Sequence, residues 1–435
     1  MRRFHKLTND IFYKEVVSDR LKYLSPATNT FTAYKQPFVI NKGKGCYVWD
    51  CYGDKYLDLL GQNLTVSVGH CHPKIVESSV NQMRKLSHCT SIYYNEHAPK
   101  LARDIISTLP PHPSGNDWVV HFVNDGSEAI DLATQMIRTY TNKQELISLH
   151  KSYHGLQGYA AGLSAIGIST QPAYSSMYSS ITHLPSNDVE AIENHVKYSS
   201  GGHIAGIVIE PLQGYGGIYP LKKGYMKKAF DIVREHGGVC LADEVQTGYN
   251  RCGEAFWGFQ LSDNDAMPDI ITTAKGMGNG VGIIGAVITT REIAEAFTSK
   301  MFFNTYGGNP VACVAARAVL NVMKQENIRE NCKAQGDLFK RELVNLCKHQ
   351  PDVYKEVRGE GLFLGLEVSG TTHEDSVKKI ELIQRLMLDE GIMIGKGSAA
   401  GNVLRIQPPM TITEMDVLYT VDMLDWVGNM VKDYN

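Results

Sequence analysis

The sequence has no long apolar run and no block of like charge. Its uninterrupted apolar stretches fall well short of the ~18 residues that a membrane-spanning helix needs, so we expect no membrane segment. The 43 lysines and arginines are interspersed with 46 aspartates and glutamates, which leaves a formal net charge of -3. Because no basic patch stands out, the chain is not expected to bind nucleic acid.

Cysteine occurs nine times, but no two cysteines form a CxxC pair. A zinc ribbon or a disulfide framework is therefore not expected, and a reducing compartment is. The stretch "GHCHP" places His70, Cys71 and His72 side by side, which is too crowded for a tetrahedral metal site. We therefore predict no bound metal.

The first ten residues, "MRRFHKLTND", are basic but lack the apolar segment of a secretory signal. They are also short for a mitochondrial transit peptide. The chain is therefore expected to work inside the cell, in the cytoplasm if this N-terminus is complete.

Strand and helix patterns alternate along the middle of the chain, after a hairpin predicted in 46–60 with its turn at Tyr52-Gly53-Asp54. The predicted strands are 118–124 (a buried strand), 145–150, 204–211, 239–245, 269–275 and 284–290. The predicted helices are 10–24, 127–140 with an apolar stripe of Ile130, Ala133, Ile137 and Tyr140, and one with Met226, Phe230 and Val233 on one face. Such alternation predicts an α/β fold whose sheet is largely parallel and binds ligands at its carboxyl edge.

The pattern changes after about residue 312, where a long helix begins. Beyond it, strands are predicted at 361–368 and 402–409. We therefore divide the chain into an N-terminal segment (1–60), a large domain (61–315) and a smaller C-terminal domain (316–435).

Three predicted strands end in polar residues that one sheet edge would bring together. Strand 118–124 leads to Gly126 and Ser127, which open a helix whose N-terminal N–H groups suit a phosphate. Asp243 and Lys275 follow two other strands. Taken alone, Ser127 could be an N-cap, and Asp243 or Lys275 could belong to a structural salt bridge. Together they are the parts of a pyridoxal phosphate site, with a lysine for the Schiff base and an aspartate for the pyridine nitrogen.

A rival motif lies directly after Lys275. Gly280, Gly282 and Gly285 match the GxGxxG pattern of dinucleotide sites. The motif precedes a predicted strand and opens no helix, so it lacks the context that a dinucleotide site requires. We therefore expect no dinucleotide there.

An ordered set of short motifs resembles the class III pyridoxal-phosphate aminotransferases over roughly residues 35–410. The motifs are "NDGSEA", "SYHG", "EPLQG", "LADEVQTGYNRCG", "TTAKGMGNG", "FNTYGGNP" and "VRGEGLFLG". "TVSVGHCHPK" and "EAFWGFQ" are most similar to the alanine–glyoxylate aminotransferases of this class. The resemblance implies the fold type I of pyridoxal phosphate enzymes, with a large domain built on a mostly parallel sheet between helices and a smaller α+β domain.

The resemblance also implies roles for residues around the cofactor. Lys275 is implied as the Schiff-base lysine and general acid/base, and Asp243 as the partner of the pyridine nitrogen. Val245 would pack under the ring, Gln246 would contact its phenolic oxygen, and Tyr153 would stack on the opposite face. For Tyr153, a plain core aromatic is the alternative.

Further implied contacts concern the phosphate, the substrate and a second subunit. Gly126 and Ser127 would bind the phosphate, and Thr305 would reach the phosphate of the neighbouring subunit, so a homodimer with shared sites is expected. Arg405 would hold a substrate carboxylate as a bidentate fork. The alternative for Arg405 is an arginine on the surface beside a strand.

Two departures from the family pattern bear on the substrate. Ornithine and GABA relatives carry an acidic residue, five positions after the glutamate of their "EP" motif, that screens the carboxylate-binding arginine. Counting from Glu210, that position here is Tyr215, so Arg405 should stay available to ordinary amino and oxo acids. In "LLGQNLTV", Gln62 and Asn63 stand where relatives carry other residues, and we expect Asn63 to contact the substrate.

The expected reaction is transamination from alanine, or a similar amino acid, to a small 2-oxo acid such as glyoxylate or pyruvate. The alternative is a phospho-lyase that releases phosphate from ethanolamine phosphate on the same cofactor. The resemblance favours a mitochondrial location. A cofactor-less scaffold protein is disfavoured because every expected cofactor contact is present.

Overall fold

The computed structural model describes residues 2–29, 32–165, 180–262, 266–397 and 401–432. The helices are α1 (Arg2–Tyr23), α2 (Pro73–Lys85), α3 (His97–Ile106), α4 (Gly126–Thr141), α5 (Gly158–Leu163), α6 (Val189–Asn194), α7 (Tyr225–Glu235), α8 (Phe259–Ser262), α9 (Arg291–Ala296), α10 (Pro310–Gln325), α11 (Ile328–His349), α12 (His373–Asp389) and α13 (Glu414–Lys432). Shorter helical turns occupy Pro26–Asn29, Gly61–Leu64, His195–Ser199, Lys275–Met277 and Phe297–Ser299. None of the described helices combines the length and the apolar character needed to cross a membrane.

The strands form four sheets. They are β1 (Ile40–Lys44), β2 (Tyr47–Asp50), β3 (Lys55–Asp58), β4 (Trp118–Val123), β5 (Glu145–Leu149), β6 (Ile181–Leu184), β7 (Ile204–Ile209), β8 (Leu212–Gln213), β9 (Tyr219–Pro220), β10 (Val239–Asp243), β11 (Ile270–Thr273), β12 (Gly285–Thr290), β13 (Tyr354–Glu360), β14 (Phe363–Val368), β15 (Ile392–Met393), β16 (Gly395–Gly397) and β17 (Val403–Ile406).

The largest sheet has seven strands in the order β4-β12-β11-β10-β7-β5-β6. Strands β6, β5, β7, β10 and β11 are parallel, and β12 is antiparallel to both of its neighbours. Because β4 is antiparallel to β12, it points the same way as the parallel set. The largely parallel sheet is confirmed, and the carboxyl ends of β4, β10 and β11 share one edge.

Helices cover both faces of this sheet. Along β10, Leu241 packs into one hydrophobic core with Ile130 and Ile137 of α4, whereas Cys240 packs into the other core with Phe230 of α7. Successive residues of a strand point to opposite faces, so each strand contributes to both cores. The predicted helical stripes on α4 and α7 therefore face the sheet as expected.

Two predictions about burial are wrong. The middle of β4 is only half-buried, because this strand lies at the edge of the sheet rather than inside it. Tyr140 does not continue the buried stripe of α4: it is 39% exposed, and its hydroxyl donates to Glu292 at 2.7 Å. The last turn of α4 thus extends beyond the sheet into solvent.

The chain ends build two smaller sheets. The predicted hairpin is confirmed, since β2 and β3 pair antiparallel in the sheet β1-β2-β3-β15. The sheet β13-β14-β17-β16 contains both predicted C-terminal strands. Because β3 pairs with β15, the N-terminal segment and the C-terminal region share a sheet. The division at residues 60 and 315 stays a prediction.

Candidate active site

Lys275 and Asp243 lie on neighbouring strands at the carboxyl edge of the central sheet. Asp243 is opposite Thr272 in the parallel pair β10–β11, and Lys275 follows two residues after β11. Lys275 has a positive φ of 42°, a conformation that favours glycine. Burial and, to a smaller extent, the charge of Arg405 lower the pKa of Lys275 to about 8, although Asp243 and Glu210 act in the opposite direction.

Asp243 is 4% exposed and accepts hydrogen bonds from several donors. Its Oδ2 lies 2.7 Å from Nδ1 of His154, and its Oδ1 accepts from the N–H of Val245 at 3.1 Å and from the hydroxyl of Thr272 at 3.3 Å. The sequence reasoning expected a cation or several donors but missed His154. The available signal was its place in "SYHG", just beyond the end of β5.

The N-terminus of α4 forms the expected anion-binding turn. Asp125 is the N-cap, and its carboxylate accepts from the N–H of Glu128 at 2.9 Å, so the N-cap alternative for Ser127 is wrong. The first N–H groups of a helix have no partner within it, and those of Gly126 and Ser127 are the first here. A Cβ on Gly155 would lie 2.3 Å from the Ser127 hydroxyl, so glycine keeps this space open.

Val245 and Gln246 follow Asp243 into the same region. A Cβ on Gly126 would lie 3.0 Å from Cγ1 of Val245, which places Val245 against the N-terminus of α4. Gln246 is 8% exposed, and its side-chain oxygen has no hydrogen-bond partner among the described residues. A buried acceptor without a donor is costly, which is consistent with a bound group that completes it.

Tyr153 and Tyr215 form an aromatic pair. Their ring centroids are 5.0 Å apart with the planes tilted by 34°. Glu210, which is 3% exposed, accepts from the N–H of Tyr153 at 2.8 Å and from the N–H of Gly214 at 3.0 Å. Glu210 therefore ties together the two segments that carry these rings, and burial raises its pKa to about 7. The sequence reasoning used Glu210 only as a reference point for counting.

Arg405 is buried in β17, so the surface-arginine alternative is wrong. It is 5% exposed, and its Nε has no hydrogen-bond partner among the described residues. Burial lowers its pKa to about 10, while Tyr215, Tyr153 and Glu210 oppose this shift. The positive charge of Arg405 also lowers the pKa of Lys275, so the two buried cations interact electrostatically.

Asn63 and Thr305 are both exposed. Asn63 lies in a turn whose next residue, Leu64, lines a small cavity together with Val245, Gln246 and Ala274. Thr305 lies between the buried Asn304 and the exposed Tyr306.

Other residues considered in the sequence have structural partners. His70 lies 2.9 Å from Asp58, and His72 lies 3.2 Å from Glu326. In the described part of the chain, no group of three histidine, cysteine or acidic side chains is arranged to hold a metal. Gly285 of the GxGxxG match begins β12 and opens no helix, as expected.

The site offers groups that match each part of pyridoxal phosphate. The low pKa of Lys275 favours a free amine, Asp243 supplies a buried carboxylate for the pyridine nitrogen, and the N-terminus of α4 suits the phosphate. The unpartnered oxygen of Gln246 marks a further polar contact that is still open. The residues present therefore fit this cofactor.

Comparison with known proteins agrees with this geometry. Residues 30–427 match the model of the class-III aminotransferases. An alanine–glyoxylate aminotransferase 2 homolog of Arabidopsis thaliana, named as mitochondrial, is 37% identical over 94% of this chain and 86% of its own length. An ethanolamine-phosphate phospho-lyase homolog of Caenorhabditis elegans is 33% identical over 98% of this chain and 96% of its own.

A solved structure has the same fold. A phospholyase from Arthrobacter, in complex with phosphoethanolamine, superimposes with a TM-score of 0.86 at 26% identity and covers 95% of this chain and 99% of its own. With the family model spanning most of the sequence, the chain belongs to the class III aminotransferases, a family of pyridoxal-phosphate-dependent enzymes.

Proposed function

We propose that the chain transfers an amino group from alanine, or a similar amino acid, to a 2-oxo acid of the glyoxylate or pyruvate type. The observation that carries this proposal is the buried Arg405, whose charge acts on Lys275, together with Tyr215 at the position five residues after Glu210. A guanidinium held in this way suits the carboxylate that amino and oxo acids share. The Arabidopsis relative, named for the alanine–glyoxylate reaction, supports this choice of substrates.

The side chains have separate roles in binding the cofactor. Pyridoxal phosphate, when bound, supplies a ring that accepts electrons and carries the amino group between substrates. Gly126 and Ser127 hold the phosphate at the N-terminus of α4. Asp243, fixed by His154, keeps a proton on the pyridine nitrogen.

Lys275 and Arg405 act on the substrate. Arg405 fixes the carboxylate of the amino acid and so orients its α-carbon towards the lysine amine. Lys275, whose pKa is lowered to about 8, takes the α-proton of the amino acid on its amine and donates a proton to the α-carbon of the oxo acid in the second half of the reaction. Val245 and Tyr153 would pack against the cofactor ring, Gln246 would contact its phenolic oxygen, and Asn63 would contact the substrate.

A phospho-lyase is the second candidate. The relatives from Caenorhabditis elegans and Arthrobacter are named for this activity, and the latter was solved with phosphoethanolamine. A lyase needs a cationic pocket for the substrate phosphate, and Arg405 is one cation that could contribute to it. The two functions differ in whether an amino acceptor is required.

The test compares both reactions on the same preparation. Wild-type protein is incubated with alanine and glyoxylate, and separately with ethanolamine phosphate without any acceptor, while glycine, inorganic phosphate and the visible absorbance of the cofactor are followed. We expect glycine to form, no phosphate release, and loss of turnover by at least about a thousandfold in Lys275→Ala. Acceptor-independent phosphate release would favour the lyase, and full turnover by Lys275→Ala would contradict both functions.

We also propose a homodimer and a mitochondrial location. Two neighbouring segments expose large apolar side chains: Ile92, Tyr93 and Tyr94 in one, and Met301, Phe302, Phe303 and Tyr306 in the other. His88, four residues before Ile92, packs on Tyr306 with ring centroids 5.3 Å apart, which brings the two segments near each other, and we call their exposed apolar side chains the apolar face. An exposed surface of this kind suits a second copy, whose site Thr305 would then reach. The location follows the name of the Arabidopsis relative.

A further inference from the structure

Residues Gly61–Leu64 form a single left-handed helical turn. Their φ angles are 54°, 49°, 59° and 66°, so three residues with side chains adopt a conformation that glycine prefers. Each such residue is less stable in this conformation than in a right-handed turn, because its Cβ crowds the following carbonyl oxygen. A turn of this kind persists only where surrounding contacts hold it.

Asp58 supplies those contacts. Its carboxylate is fully buried and accepts four hydrogen bonds: from the N–H groups of Leu60 and Gly61 at 3.0 and 2.9 Å, from Nε2 of Gln62 at 3.1 Å, and from Nε2 of His70 at 2.9 Å. Two of the four donors, Gly61 and Gln62, belong to the turn, and Leu60 directly precedes it. These hydrogen bonds stabilise the turn against the strain of its left-handed residues.

The turn is fixed at its first end to the strand of Arg405. The N–H of Gln407, two residues after Arg405, donates to the carbonyl of Leu59 at 2.7 Å. A Cβ on Gly61 would lie 2.9 Å from the Gln407 carbonyl, so the turn packs directly against this segment. If the turn moved, its position relative to Arg405 would therefore change.

The other end is fixed to the loop of Lys275. The Ser67 hydroxyl donates to the carbonyl of Gly276 at 2.9 Å, and the N–H of Val68 donates to Asn279 at 2.8 Å. Leu64 lines the cavity that Ala274 and Gly276 also line. Residues 59–68 thus connect the strand of Arg405 to the loop of Lys275.

We propose that Asp58 is a positioning residue that holds the left-handed turn, so that the turn keeps the strand of Arg405 and the loop of Lys275 at a fixed separation and limits the size of the amino acid side chain that the site accepts. This inference rests on the proposed transamination for the roles of Arg405 and Lys275. His70 completes the arrangement from outside the turn, where Gly43 leaves room for its ring.

The test uses Asp58→Asn with Asp50→Asn as its matched control. Asp50 is also a buried carboxylate of the same sheet, is 8% exposed and accepts from two turn N–H groups, those of Tyr52 and Asp54, but it lines a different pocket, formed with Tyr13, Phe38 and Leu388. We expect Asp58→Asn to raise the KM for alanine about tenfold and to narrow the preference for alanine over leucine, since small misplacements in a site have large effects. Asp50→Asn should leave both quantities unchanged.

A second readout does not depend on activity. In Asp58→Asn, hydrogen–deuterium exchange of residues 59–68 should become faster than in the wild type and in Asp50→Asn, in both cofactor-free and cofactor-bound protein. If Asp58→Asn fails to fold, Gln62→Ala removes one exposed donor of the turn and should raise the KM for alanine about threefold.

The outcomes separate this inference from the proposed function. If Asp58→Asn and Asp50→Asn both show the KM, the substrate preference and the exchange rates of the wild type, the positioning role of Asp58 is wrong. A loss of stability in Asp58→Asn with unchanged KM and preference would also overturn it, because a merely structural residue behaves in that way. Absence of transamination by the wild type would instead overturn the proposed function.

Discussion

Lys275 illustrates how position in the fold changes the chemistry of one side chain. An unperturbed lysine has a pKa of about 10.4 and is almost fully charged at neutral pH. Burial at the sheet edge, together with the charge of Arg405, brings the pKa of Lys275 to about 8. The free amine that a carbonyl cofactor requires is therefore present in a substantial fraction of molecules near neutral pH.

The stability of the cofactor-free protein should depend on this pKa. Between pH of about 8 and about 10.4, the unfolded chain keeps the proton that folded Lys275 has lost, so unfolding binds a proton and stability rises with pH. Below that window both states are protonated, and burial of the charge destabilises the fold in full. Urea unfolding across pH 7.5–10.5 should show this rise in the wild type and a smaller one in Lys275→Met. An equal rise in Lys275→Met would contradict the prediction, and exposed Lys324→Met is the control.

Arg405 should recognise the carboxylate rather than the amine of the substrate. We expect Arg405→Lys to raise the KM for alanine and for glyoxylate about tenfold to a hundredfold, because a lysine cannot form the bidentate fork. An amine donor without a carboxylate, such as 1-phenylethylamine, is the control and should be affected much less. Equal losses for both kinds of donor, measured in half-reactions, would contradict this role.

Among the elements, α4 depends on Asp125. This residue is the N-cap of α4, and its side chain accepts a hydrogen bond from the N–H of Glu128. Asp125→Ala should lower the free energy of unfolding by about 1 kcal/mol, whereas Asp125→Ser keeps a capping oxygen and should cost less. Urea unfolding of the three proteins measures the difference, and equal stabilities would contradict the capping role.

The turn that leads into α5 lies against Ser127 and should therefore affect the affinity for the cofactor phosphate. Gly155 has a φ of 126°, and a Cβ there would meet the Ser127 hydroxyl at 2.3 Å. We expect Gly155→Ala to weaken cofactor binding about tenfold or more, since Ser127 must move or the turn must change. Gly115→Ala is the matched control, because Gly115 also has a positive φ but has open space around its Cβ position.

Cofactor titration of the apoprotein followed by fluorescence gives both affinities. A tenfold loss in Gly155→Ala with wild-type affinity in Gly115→Ala would locate the effect at Ser127. Equal losses in both variants would show that backbone strain alone is responsible, which would contradict the prediction.

At the scale of the whole molecule, the apolar face should join two copies. We expect the wild type to be a dimer in light scattering. The double variant with Tyr94→Asp and Phe303→Asp should be a monomer, because it places two charges on this face. Cofactor affinity should fall together with dimerisation if Thr305 completes the partner's site. Tyr198→Asp changes an exposed tyrosine elsewhere and is the control. A wild-type monomer that binds the cofactor with undiminished affinity would contradict the shared site.

Much of the fold could be predicted from the sequence because its signals are local. Strand and helix periodicities placed most elements correctly, and strand direction then placed Asp243 and Lys275 at one sheet edge. The errors at β4 and Tyr140 have a common cause: apolar periodicity shows which face of an element is buried, but not where the sheet or the core ends.

The sequence by itself determined the order of the elements and the residue types at their ends, since these follow from spacing along the chain. Only the tertiary structure decided the contacts that set the properties of the site. These are the hydrogen bond between His154 and Asp243, which are 89 residues apart, the burial of Arg405, and the hydrogen bonds from the left-handed turn to Asp58. The physical reason is that pKa values and strained turns depend on neighbours in space, which a one-dimensional pattern does not specify.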